Sequence, residues 1–168
     1  MKSEGLTRKP PLARQLWLDR LQQSWLLRNV LLLLLWLLVF EIGWLVEYTH
    51  HASVWYPVAG LTFASLLLLG FSVLPALLTG CVLITFYTAG HYNIQLPASQ
   101  LFEAGLLFGL AHILPYGVGA ILLRTLAKRG ERDISRIIVS FLVIAAVSSF
   151  CATWLVIPAL VVTDMMAW

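Results

Sequence analysis

NVLLLLLWLLVFEIGWLV, residues 29–46, carries one ionisable side chain, Glu41, in an otherwise apolar run. At about 1.5 Å per residue a helix of this length covers most of a bilayer's hydrocarbon core, which takes roughly 20 apolar residues. It begins after a long basic and polar leader and exceeds the roughly 7–15 apolar residues of a signal-peptide core, so it reads as a retained span. Outward from it the same composition persists. The chain of 168 residues is 60% hydrophobic and 11% charged, against about 25% charged in soluble domains. Lipid is the solvent that suits it.

The net charge of +3 does not describe a nucleic-acid binder. All eleven Lys and Arg residues lie in two blocks, 2–28 and 124–136, the pattern of segments retained in the cytoplasm. After the first span come four further apolar runs, three before the second basic block, at about 54–69, 73–89 and 98–123, and one after it, at about 134–162. The expectation is an all-α, polytopic transmembrane helix bundle of about five spans with a cytoplasmic N-terminus. A tight return is expected at Gly70–Ser72 and a kink at Pro115. Segments 47–53 and 90–97 hold no Lys or Arg and are expected outside, as are Asp164 and Trp168. Residues 1–28 form a cytoplasmic tail and, over 12–24, an interfacial amphipathic helix with Trp17, Trp25, Arg14 and Arg20. Residues 29–168 form the membrane domain.

Ionisable groups at membrane depth are functional candidates by default. Glu41, Glu103 and His112 qualify. Glu103 and His112 are nine residues apart, half a turn out of phase at about 100° per residue, and so face opposite sides of a straight helix. A carboxylate at this depth is expected to be protonated or bonded to another helix. His112 has a plainer reading as a packing histidine. His50, His51 and His91, with Glu47, could approach a metal, but adjacent histidines lack ligand spacing, and no metal or cofactor is assigned. Cys81 and Cys151 sit in apolar runs as small packing residues. No phosphate loop, zinc helix or nucleophile elbow is present, so no enzyme is read in this chain. Gly60, Gly80, Gly105 and Gly109 suit close helix approach.

Three stretches resemble one family. SVWYPVAGL (53–61) contains Trp-x-Pro-x-x-Gly as Trp55, Pro57 and Gly60. LPALLTG (74–80) opens the next span on Pro75. GAILLR (119–124) ends the fourth. In this order they resemble the first class of bacterial membrane-associated sensor (MASE) domains. Where that family often has Asn and Glu on the fourth helix, this chain has His112 and Pro115. The resemblance covers about 53–124. It implies an inner-membrane input module of a diguanylate cyclase, cyclic-di-GMP phosphodiesterase or histidine kinase. Such domains usually have about eight spans, so the chain is expected to be a truncated piece. The implied partners are the bilayer, a small-molecule or protein signal, a cytoplasmic output domain in the same parent chain, and a second copy of the chain. Trp55, Pro57, Gly60 and Pro75 become candidate signal residues beside Glu41, Glu103 and His112. Trp55, Pro57 and Gly60 are expected to form a packed corner at the external mouth. The alternative is a fragment of a small-molecule or ion transporter.

Overall fold

A computed structural model describes residues 24–45, 47–49, 52–53, 56–128 and 134–166. Trp55, His50 and His51 lie outside the described residues, as does the expected 12–24 helix apart from Ser24. Five helices follow in order: α1 (Trp25–Trp44), α2 (Pro57–Leu69), α3 (Leu74–His91), α4 (Ala98–Lys128) and α5 (Ile134–Val162). A short antiparallel hairpin, β1 (Glu47–Thr49) with β2 (Ala52–Ser53), sits between α1 and α2, with Glu47 opposite Ser53. Sequence reading gave that segment only as an external connection.

Local chemistry fixes the helix ends. The Ser24 hydroxyl accepts from the Leu27 amide at 3.2 Å and caps α1, supplying an acceptor to an otherwise orphaned amide. Pro57 and Pro75 stand in the first turns of α2 and α3, where a missing N–H costs nothing. Gly70, at φ 74°, ends α2 in a backbone region open chiefly to glycine. One turn of 3₁₀-helix, Gly70–Val73, completes the expected return.

Contacts establish direction. The start of α1 meets this return: Trp25 Nε1 and Asn29 Nδ2 donate to the Ser72 carbonyl, and Arg28 Nη2 to its hydroxyl. Midway, Trp36 meets Thr62 of α2 and the Gly80 position of α3. At its far end Trp44 packs on Tyr87, His91 and Tyr92. Thus α2 runs back along α1, and α3 runs forward again. Gly105 of α4 faces Val82 and Arg124 reaches Leu67, so α4 returns. Ser148 of α5 faces Gly119, and Met165 packs beside Ala89, Leu101 and Ala104, so α5 goes out again. Among the described residues the chain passes along the bundle five times, once in each helix.

Four helical stretches are long and apolar enough to cross a membrane, with 57–91 as one continuous stretch of 35 residues. It folds back at Gly70. Its first limb, α2, has 13 residues and is about 20 Å long, short of a roughly 30 Å hydrocarbon core when taken alone. The protein is a polytopic helical bundle. α4 is its most buried helix and α5 its least. α4 passes Pro115 without interruption.

Between helices already in lipid, close packing and polar contacts replace the hydrophobic drive. Glycines make these contacts on α3 and α4. A Cβ on Gly80 would lie 2.8 Å from Trp36 Cε3, one on Gly105 2.8 Å from Val82 Cα, and one on Gly109 3.0 Å from Leu78 Cδ2. Gly60 corrects the expected packed corner. It is exposed, and an added Cβ would meet nothing within 4 Å.

Arg124 clasps the return from the α4 side. Nε and Nη2 both donate to the Leu67 carbonyl, Nε at 2.8 Å. A cation on the last carbonyls of α2 also opposes the negative end of its dipole. Arg124→Met is expected to lower stability by about 1.5–3 kcal/mol, the range for hydrogen bonds to a charged group. Arg124→Lys should recover part of it. Thermal unfolding of the three proteins in one detergent checks both.

Candidate functional site

Toward the end that carries Trp44 and Met165, α1, α3, α4 and α5 enclose a partly open cavity of about 440 Å³. α1 contributes Phe40 and Trp44, α3 contributes Thr85 and Thr88, and α4 contributes Phe108, His112 and Tyr116. α5 closes the far side with Thr153 and Val156, Tyr56 enters ahead of α2, and among the described residues no Asp, Glu, Lys or Arg lines the space. α1 and α5 face each other across it without forming an extensively packed pair.

His112 is the deepest polar group on this wall, with 3% of its surface exposed. Four aromatic rings surround it: Tyr116 at 5.2 Å, Phe108 at 5.8 Å, Tyr56 at 6.0 Å and Trp36 at 6.4 Å between centroids. Its Nε2 lies 3.1 Å from Thr62 Oγ1, and Trp36 Nε1 donates to that same oxygen at 2.9 Å. Trp36 and Thr62 are both fully buried. One threonine hydroxyl therefore joins α1, α2 and α4.

Hydrogen-bond supply fixes the direction of this relay. Thr85, Thr88 and Thr153 each donate their hydroxyl hydrogen to the carbonyl four residues back. Thr62 makes no such bond. Its oxygen already accepts from Trp36, and the acceptor within reach of its hydrogen is His112 Nε2. Leaving a buried hydroxyl hydrogen unpaired costs about 1–3 kcal/mol. The relay therefore runs from the Trp36 N–H to Thr62 and from the Thr62 O–H to His112 Nε2. A ring that accepts at Nε2 carries its own hydrogen on Nδ1. Nδ1 has no protein partner among the described residues and is not sealed from the cavity. The site thus offers a neutral N–H donor on an aromatic wall.

The other candidate residues are dispersed. Glu41 and Glu103 are both exposed on the outside of the bundle, close to the ends of α1 and α4. Neither is inserted between helices, and neither lines the cavity. The structure does separate Glu103 from His112 onto opposite faces of α4. Pro57 is half-buried and Pro75 exposed, each at a helix start, and Gly60 borders a separate, smaller pocket beside Phe63 and Tyr116. His91 packs edge-on against Trp44 at 4.9 Å. Among the described residues no three His, Cys, Asp or Glu side chains could share a metal.

Sequence reasoning found His112 and missed Trp36 and Thr62, which read as ordinary members of apolar spans. A signal was available. Trp36, Thr62 and His112 each lie about three helical turns from the end where Trp25, Ser72 and Arg124 gather, so antiparallel spans bring them to one depth.

No protein-family model, curated protein or solved structure matches the chain. Fold and site define its class directly: a multi-pass helical bundle with an aromatic-lined cavity between its helices.

Proposed function

We propose that the chain is the membrane-embedded sensory domain of a bacterial signalling protein. It sits in the inner membrane with its N-terminus in the cytoplasm and passes the state of its cavity to a cytoplasmic output domain. That domain is a diguanylate cyclase, a cyclic-di-GMP phosphodiesterase or a histidine kinase. The observation that carries the reading is the span of α4. His112 stands on this helix at the cavity wall, and Arg124 stands on the same helix at the opposite end, clasped to the α2–α3 return. A ligand that favours one packing of α4 shifts the population at the far end by its differential affinity. Broken spans often line transport pathways, and α4, which runs as helix through Pro115, does not favour the transporter alternative.

The orientation follows from charge. Arg28 and Arg124 meet the same Leu67–Ser72 return, so both basic blocks approach one end of the bundle, which the positive-inside bias assigns to the cytoplasm. In a Cys151→Ser background, Gln95→Cys is expected to react with a membrane-impermeant maleimide in whole cells, and Gly130→Cys only after lysis. The reverse pattern would overturn the orientation.

The functional test fills the cavity. Val156→Trp, expressed within the chain's own gene context, should shift a cyclic-di-GMP or kinase-output reporter severalfold at unchanged membrane abundance. Unchanged output across growth conditions would count against the sensory reading.

A further inference from the structure

We infer that the cavity binds a neutral, largely apolar ring molecule bearing a carbonyl oxygen, of the quinone or cyclic-ketone kind, held by a hydrogen bond from His112 Nδ1. The inference deepens the sensory reading and rests on the cavity being its ligand site.

Charge sets the first limit. Among the described residues no ionised side chain lines the space, so an ionic ligand would lose its hydration without gaining a counter-charge from them. Hydrogen-bond supply sets the second. The hydroxyl hydrogens of Thr85, Thr88 and Thr153 are spent on their own helices, and Tyr116 donates to Ser149 Oγ at 3.3 Å. The His112 Nδ1–H is the most deeply buried donor left to the cavity; the Trp44 indole and the Tyr56 and Tyr92 hydroxyls stand toward its mouth. A donor that meets no acceptor in a dry site forfeits its hydrogen bond, so the matching ligand brings an oxygen acceptor. Shape sets the third. Phe40, Trp44 and Phe108 present aromatic faces and edges that suit a flat ring, and about 440 Å³ is a small-molecule volume. α1 and α5 both line the cavity and are not extensively packed together, an arrangement that suits a ligand partitioning into lipid.

The probes are duroquinone and durene, which share a tetramethylated six-membered ring and differ in the two carbonyl oxygens. Protein in lipid nanodiscs is dialysed against each, and uptake by empty nanodiscs is subtracted. Duroquinone is expected to bind saturably at one per chain. His112→Phe should weaken it about tenfold, the worth of one hydrogen bond, and leave durene uptake unchanged. Thr62→Val, which withdraws the hydrogen that holds the ring's tautomer, should weaken duroquinone in the same sense. Durene uptake by each variant reports whether its cavity has formed. No saturable duroquinone uptake by the wild-type protein would overturn the inference, as would equal losses of both compounds in the variants. Failure here alongside a reporter response to Val156→Trp removes the ligand class and keeps the sensor. Binding here without that response does the opposite.

Discussion

Gly105→Leu is expected to abolish the monodisperse, folded fraction of the protein in detergent, whereas Gly60→Leu should leave it unchanged. Both glycines sit in apolar helices, and their surroundings differ completely. A Cβ on Gly105 would lie 2.8 Å from the Val82 Cα and 3.3 Å from Thr85 Oγ1. The first of these is backbone and cannot rotate away, so α3 and α4 must separate. Overpacking by side chains that can adjust costs about 1–3 kcal/mol, and a helix pair forced apart also gives up the dispersion contacts along its length. At Gly60 the added atoms enter open space. Size-exclusion chromatography and thermal unfolding of the two variants side by side decide the matter. Equal behaviour would mean that the α3–α4 contact is misplaced.

Trp36→Ala is the second large effect, with an expected loss of about 3–5 kcal/mol for truncating a fully buried large aromatic. Trp36 fills the junction between α1 and α3, where it lies against the Gly80 position, stacks on Phe40 with centroids 6.4 Å apart, and donates to Thr62. Trp36→Phe keeps most of the packing and loses the donor, at about 1 kcal/mol, the scale of an interhelical hydrogen bond in a membrane protein. Unfolding by graded SDS, followed by helicity, separates the two substitutions. An alanine variant no worse than phenylalanine would place Trp36 outside the core.

The helical class and the order of the helices were legible because they rest on one-dimensional signals. The two basic blocks, Pro57 and Pro75 at helix starts, and Gly70 at the return each act through the residue itself. Which face of each helix turns inward was not legible. Helices apolar on every side carry no stripe that marks the core, so Gly60 and Gly105 look alike in the sequence although one faces open space and the other a neighbouring backbone. The same limit explains Glu41 and Glu103. Their distance along the chain suggested depth, but only the packed helices show that both point away from the bundle. His112 stood out as a polar residue in an apolar run. Its partners did not, because Trp36 and Thr62 acquire their roles from helices that are distant in sequence. The hairpin of β1 and β2 was missed for a similar reason, since strand pairing within a seven-residue connection leaves no periodic pattern to count.

The relay from Trp36 through Thr62 to His112 is the account's central claim, and the tautomer of one ring tests it most directly. With His50, His51 and His91 replaced by Gln and the remaining histidine labelled with nitrogen-15, solid-state NMR in lipid reads the two nitrogens of His112 separately. The account predicts a neutral ring protonated at Nδ1, with Nε2 unprotonated and accepting from Thr62. A ring protonated at Nε2, or at both nitrogens, would contradict it.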